Sequence, residues 1–163
     1  MVWGLVSKSN SGRKFHGPFQ KPIVLVGLMG AGKTSIGRKL AERMQVSFVD
    51  ADHEIEKAAG CTITEFFEKF GEKEFRRGEK RVIERLLKSW PCILATGGGA
   101  FIDPETRATI KNTAVSIWLN ADLDTLDHRL ARRSGRPLLQ TKNPRATLQS
   151  LMEKRYPIYA EAD

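Results

Sequence analysis

An α/β fold, a parallel sheet flanked by helices in three layers, follows from three features of this 163-residue chain. Short apolar runs alternate with longer segments of helical periodicity, the pattern of strand–helix–strand units. A glycine-rich loop, Gly27-Leu-Met-Gly-Ala-Gly-Lys-Thr34, stands between one such run and one such helix. Three of the four apolar runs end in residues able to do chemistry, and ligands of such sheets bind beyond the C-terminal ends of the strands.

The elements follow in order. Ile23-Val-Leu-Val26 reads as a buried strand, and the helix after the glycine loop carries Ile36, Leu40 and Met44 on one face. Ser47-Phe-Val49 is a second short strand, ending in Asp50-Ala51-Asp52. Thr62-x-x-Glu65 has the form of a capping box and predicts a helix that stops at Gly71. Phe75, Val82 and Leu86 share a face of the next helix, which ends before Pro91. Cys92-Ile-Leu-Ala95 is a third strand, followed by Thr96-Gly-Gly-Gly99. Asp103-Pro104 joins an N-cap to a proline at the first helical position. Val115 to Leu119 form a fourth strand, and Leu123, Leu126 and Leu130 mark another helix. Residues 132–142 are polar and basic without a period, and Asn143-Pro144 opens the last helix. Residues 1–20 mix Gly, Ser, Lys and Asn and read as a disordered tail or a tag.

Bulk properties narrow the function. Hydrophobic residues make up 40% and charged residues 28%, which suits one soluble domain with its own core. No apolar run approaches the roughly 20 residues of a membrane span. The first residues lack the basic flank and apolar length of a signal peptide. A cytoplasmic monomer with no membrane partner is expected. Cys61 and Cys92 have no framework spacing, so reduced thiols are expected. The formal charge is +8, of which residues 1–21 carry +4. A basic chain can bind nucleic acid, but no aromatic-interleaved basic motif is present. Anionic small substrates explain the charge better, and no nucleic-acid partner is expected.

The loop at 27–34 fits G-x-x-x-x-G-K-[ST], and its strand–loop–helix setting makes it a mechanism rather than a chance match. Glycines let successive N–H groups point at one anion, and the helix N-terminus adds partial positive charge. Gly30, Ala31, Gly32, Lys33, Thr34 and Ser35 are the candidate phosphate binders. Lys33 reaches the outer phosphates and the Thr34 hydroxyl suits Mg²⁺, so ATP and Mg²⁺ are the expected cofactors.

The other candidates each carry two readings on spacing alone. In an extended strand end, Asp50 and Asp52 point the same way; one would hold water on Mg²⁺ and the other would take a proton from an attacking alcohol. Alternatively, Asp52 or His53 only caps the next helix. Arg76 and Glu79 are three apart on a helix: a surface ion pair, or a guanidinium held ready for a substrate carboxylate. Gly97, Gly98 and Gly99 are a flexible turn, or bare backbone for a ligand to lie against. Arg132, Arg133 and Arg136 belong to a solvated loop, or to a lid that excludes water from phosphoryl transfer. Arg155 is a surface residue unless the fold brings it to the cleft.

Taken together, these segments resemble the shikimate kinase family from about Pro22 to Asp163. The landmarks are the phosphate loop, Phe48-Val-Asp-Ala-Asp52, Phe75-Arg76 with Glu79, Thr96-Gly-Gly-Gly99, Arg136-Pro-Leu-Leu139 and Arg155-Tyr-Pro-Ile-Tyr159. The resemblance implies a three-layer P-loop kinase fold and ATP-dependent phosphorylation of the 3-hydroxyl of shikimate, in aromatic amino acid biosynthesis. It implies Asp52 as base, and Asp52, Arg76, Gly97, Gly98, Gly99, Arg136 and Arg155 around shikimate. It gives Thr34 and Asp50 to Mg²⁺, Lys33 and Arg136 to the phosphoryl group, and Arg132 or Arg133 to adenine. A substrate-binding insert would span about 51–89 and a lid about 132–142. The family has a fifth strand and a final helix after the position of Asp163; four strands are visible here. Two other readings remain open: a kinase of the same fold acting on another polyol such as gluconate, and a non-catalytic nucleotide-binding module.

Overall fold

The computed structural model describes residues 21–88, 92–131 and 143–163. The expected tail at 1–20 and the expected lid at about 132–142, with Arg132, Arg133 and Arg136, lie outside the described residues. Four parallel strands form one sheet: β1 (Ile23–Val26), β2 (Ser47–Asp50), β3 (Cys92–Ala95) and β4 (Val115–Trp118), in the order β2-β3-β1-β4. Among the described residues the helices are α1 (Lys33–Met44), α2 (Ala51–Ala59), α3 (Ile63–Leu87), α4 (Pro104–Thr113), α5 (Leu123–Ala131) and α6 (Pro144–Tyr159).

The two central strands, β1 and β3, are apolar on both faces and wholly buried, as a parallel sheet covered on both sides requires. Their side chains alternate between two cores. Ile23, Leu25 and Ile93 face Ala41, Leu40 and Met44 of α1. Val24, Val26 and Leu94 face the larger core built from the remaining helices. At the outer edge of β4, Ser116 donates its N–H and its hydroxyl to Asp163 Oδ2, at 3.0 and 2.8 Å. These bonds hold the Asp163 carboxyl below the usual range.

α1 departs from the expected stripe of Ile36, Leu40 and Met44 at Ile36 alone: Leu40 and Met44 pack against the sheet core. Its buried residues are Gly37 and Ala41, and Ile36 is exposed. A Cβ at Gly37 would lie 2.6 Å from Phe48 Cε2 and 3.0 Å from Leu25 Cδ1. Glycine thus lets the sheet approach the helix, and Gly37 and Ala41 lie deepest in the contact. Ile36 is left at the mouth of a cleft.

Other local signals fold as their chemistry dictates. Thr62 and Glu65 form the reciprocal capping box of α3. Gly71, at φ 77° and ψ 173°, breaks that helix where the sequence predicts a stop. Phe75, Val82 and Leu86 are buried together. Asp103 caps α4 by accepting from Thr106 N at 2.8 Å, and Asn143 caps α6 by accepting from Ala146 N at 3.0 Å.

Register positions the site. Leu25 pairs with Ala95, and Ala95 pairs with Asp50. The C-terminal ends of three strands therefore stand level. Chain order reverses about β1 and β3, which is where a crevice forms in such sheets.

Candidate active site

The glycine loop after β1 wraps the N-terminus of α1. Gly32 caps that helix at φ 98°, a left-handed conformation that side chains rarely adopt. Gly27, at φ 135°, also lacks room: a Cβ there would lie 2.8 Å from Leu119 O. No side chain caps α1 and no acidic residue sits in its first turn. A helix N-terminus of this kind favours an anion. Lys33 Nζ donates to Gly27 O at 2.7 Å and Leu28 O at 2.9 Å, so the ammonium is folded over its own loop.

The aspartate pair converges by another route than the expected extended strand. Asp50 ends β2 and caps α2: its Oδ1 accepts from Asp52 N at 3.1 Å. Its Oδ2 accepts from Thr34 Oγ1 at 2.8 Å. Asp50 is therefore the cap, in place of Asp52 or His53, and Asp52 begins the helix. A turn, not a pleat, brings the two carboxylates to one cavity of about 490 Å³, which Lys33, Thr34, Ser35, Thr96 and Gly98 also line.

Across Gly97 from Asp52 lies an ion pair whose acid is buried. Arg76 Nη1 lies 2.5 Å from Glu79 Oε2, and Glu72 Oε1 lies 3.3 Å from Nη2. Burial pushes the Glu79 carboxyl up from its usual range; Arg76 opposes that rise, and Asp52 and Asp103 add to it. Burial disfavours the Arg76 guanidinium, but the carboxylates of Glu79 and Glu72 outweigh it and hold the charge more firmly than usual.

The triple glycine makes room for these groups. A Cβ at Gly97 would lie 2.7 Å from Asp52 Oδ1 and 3.1 Å from Glu79 Oε1. At Gly99 it would lie 2.6 Å from Arg76 Nη1. The bare backbone accommodates the protein's own functional side chains first. Arg155 reaches the same turn from α6 and donates to Gly98 O at 3.3 Å.

All the predicted site residues among those described thus meet at one set of strand ends. The spacing missed two others. Arg129 of α5 lines the cavity and donates to Gly30 O at 3.2 Å and Ala31 O at 3.3 Å. Tyr159 is fully buried and donates to Gly98 O. Arg129 sits on a helix read only through its leucines. Tyr159 is four residues after Arg155 and so on the same face, which was a usable signal.

The family model described as Shikimate kinase matches residues 29–163. The chain belongs to the shikimate kinase family. Its curated relatives include shikimate kinases of Brucella canis, 55% identical over 88% of this chain and 72% of the relative. Another is that of Paramagnetospirillum magneticum, 55% identical over 90% of this chain and 75% of the relative. Among solved structures, shikimate kinase from Acinetobacter baumannii in complex with shikimate superposes with a TM-score of 0.82. It is 43% identical and is matched over 86% of this chain and 79% of its own. A gluconokinase from Sinorhizobium meliloti, 20% identical with a TM-score of 0.53, shares the fold alone. Membership of the shikimate kinase family makes this chain an ATP-using P-loop kinase for a small molecule. No helix among the described residues is long and apolar enough to cross a membrane.

Proposed function

We propose that this chain transfers the γ-phosphoryl group of ATP directly to the 3-hydroxyl of shikimate, as a cytoplasmic monomer serving aromatic amino acid biosynthesis. One observation carries the reading: Asp52 stands between the phosphate-loop cavity and the Arg76–Glu79 pair. It lines the cavity of Lys33 and Thr34, and it rests against Gly97 beside Glu79, the partner of Arg76.

The loop N–H groups and the α1 N-terminus bind the phosphates. Lys33 exchanges the Gly27 and Leu28 carbonyls for phosphate oxygens. Asp52 orients the substrate hydroxyl and accepts its proton as the oxygen attacks in line. Arg76, fixed by Glu79, and Arg155 grip the carboxylate, and the triple glycine lines the ring. In the same reading the insert at about 51–89 holds shikimate. Arg136 of the lid at about 132–142 stabilises the transferring group. Arg129 joins Arg132 and Arg133 as an arginine for the nucleotide side.

Thr34 and Asp50 fit Mg²⁺ by their chemistry: a hydroxyl and a carboxylate 2.8 Å apart are hard oxygen donors. Among the described residues no group of three or more His, Cys, Asp or Glu stands ready to hold a metal. That suits an ion that arrives with the nucleotide and keeps waters and phosphate oxygens as ligands. Bound there, Mg²⁺ would neutralise charge on the phosphates.

A coupled ADP-release assay with and without shikimate tests the reading, with gluconate as the competing acceptor. Shikimate-dependent release is expected. Release that ignores shikimate, or that responds to gluconate instead, would sink it.

A further inference from the structure

Two side chains of α6 converge on one carbonyl of the triple glycine. Tyr159 donates its phenol to Gly98 O, and Arg155, one turn earlier, donates to the same oxygen at 3.3 Å. Burial pushes the phenol up to about 12, and the Arg155 guanidinium beside it opposes that rise. Tyr159 is therefore a neutral donor at any working pH.

The ring is held as firmly as the hydroxyl. Trp118 and Tyr156 stack around Tyr159 with all three centroid pairs between 5.1 and 6.3 Å. Tyr156 is in turn tied to Ala121 O.

Peptide geometry gives the bond to Gly98 a direction. In a trans peptide the N–H of Gly99 points opposite to the Gly98 carbonyl. Pinning the carbonyl toward α6 turns that N–H to the other side. Gly99 is also the residue against which the Arg76 guanidinium packs.

We infer that Tyr159 is a positioning residue of the acceptor pocket: it fixes the Gly98–Gly99 peptide, and keeps it fixed once Arg155 leaves the Gly98 carbonyl for the substrate carboxylate. The inference rests on the acceptor site proposed above. A guanidinium that grips a carboxylate commits its fork to it, so the long contact to Gly98 is the one surrendered. Between glycines, a peptide freed of both donors would rotate at little steric cost. The phenol prevents that rotation and leaves the Gly99 N–H presented.

Tyr159→Phe removes one oxygen and keeps the ring. Shikimate KM is expected to rise roughly five- to tenfold, the loss of one buried hydrogen bond. The KM for ATP and kcat are expected to stay within about twofold. A lower melting temperature with an unchanged shikimate KM would mark a merely structural hydroxyl and overturn the inference. Absence of shikimate-dependent turnover by the wild-type protein would sink the proposed function, and the inference with it. Normal wild-type turnover beside an unaltered variant would sink the inference alone. Should the variant fail to fold, a crystal structure of the wild-type protein with shikimate decides. The expected result is a Gly98 carbonyl still on Tyr159 and released by Arg155; a carbonyl turned away from Tyr159 overturns the inference.

Discussion

Arg76 and Glu79, one turn apart on α3, meet at 2.5 Å with the carboxylate almost wholly buried and the guanidinium partly exposed. The exposures are unequal, with side chains 3% and 25% accessible. The acid is a buried support, and the guanidinium is the member open to solvent. An exposed pair of this spacing would contribute little. A buried acid with one strong partner is a different object, because removing Arg76 would leave the Glu79 carboxylate buried and uncompensated.

Glu79→Ala should therefore release Arg76 without touching the phosphate loop. Shikimate KM is expected to rise roughly ten- to a hundredfold, the range of a lost charge-assisted bond. ATP KM should hold within about twofold. Steady-state kinetics in both substrates checks this; an equal rise in the two constants would mean general collapse of the cleft rather than loss of a support.

The outer glycines of the triple glycine give a pair of substitutions that part the two acceptor roles. Gly97→Ala puts a methyl group 2.7 Å from Asp52 Oδ1, and Gly99→Ala puts one 2.6 Å from Arg76 Nη1. The first should lower kcat mainly, by roughly tenfold or more, because misplacing a reacting group costs rate. The second should raise shikimate KM mainly, through the displaced guanidinium. Identical profiles for the two variants would show that neither methyl group acts through the named neighbour.

Asp52→Asn keeps the shape and removes the base. Turnover should fall about 10²- to 10⁴-fold, with nucleotide affinity retained by fluorescence titration. Lys33→Ala should instead abolish turnover, because Lys33 stands at the loop that binds the phosphates. Normal turnover in either variant removes that residue from its role.

Much of this arrangement is readable in the sequence because local chemistry dictates it. The glycine loop, the capping box at Thr62 and Glu65, the proline after Asp103 and the break at Gly71 each act within a few residues. The buried strands β1 and β3 announce themselves as unbroken apolar runs. What escapes the sequence is set by tertiary approach. Ile36 fits a helical stripe, but Gly37 takes the contact with Phe48 and turns Ile36 outward. Asp50 and Asp52 share a site through a helix cap, which a two-residue period does not describe. Gly97 and Gly99 face Asp52 and Arg76 across long sequence separations, and no periodicity reports such a meeting. Arg129 stays hidden for the same reason: its partners lie 98 and 99 residues away. For Tyr159 only the face it shares with Arg155 hints at a partner 61 residues away.

Alkaline unfolding offers a test of the Tyr159 environment that needs no substrate. Burial pushes its phenol up to about 12 from an ordinary 10.0, with Arg155 pulling the other way. Between those values the folded protein keeps a proton that the unfolded chain has lost. The folded state then binds more protons, so stability falls as pH rises through that interval. Below pH 10 the full contribution is present; above 12 it is gone. Two pKa units correspond to about 3 kcal/mol. Cys92, pushed up by burial to about 11, titrates in the same range but is common to wild type and Tyr159→Phe, so it cancels in their comparison. The variant has no phenol at this site and should lose less stability between pH 10 and 12, although it starts lower for want of the bond to Gly98. Urea unfolding across that interval reads the difference directly. Parallel curves for the two proteins would mean that the Tyr159 hydroxyl is as solvated as a free phenol, against its full burial beneath Gly98.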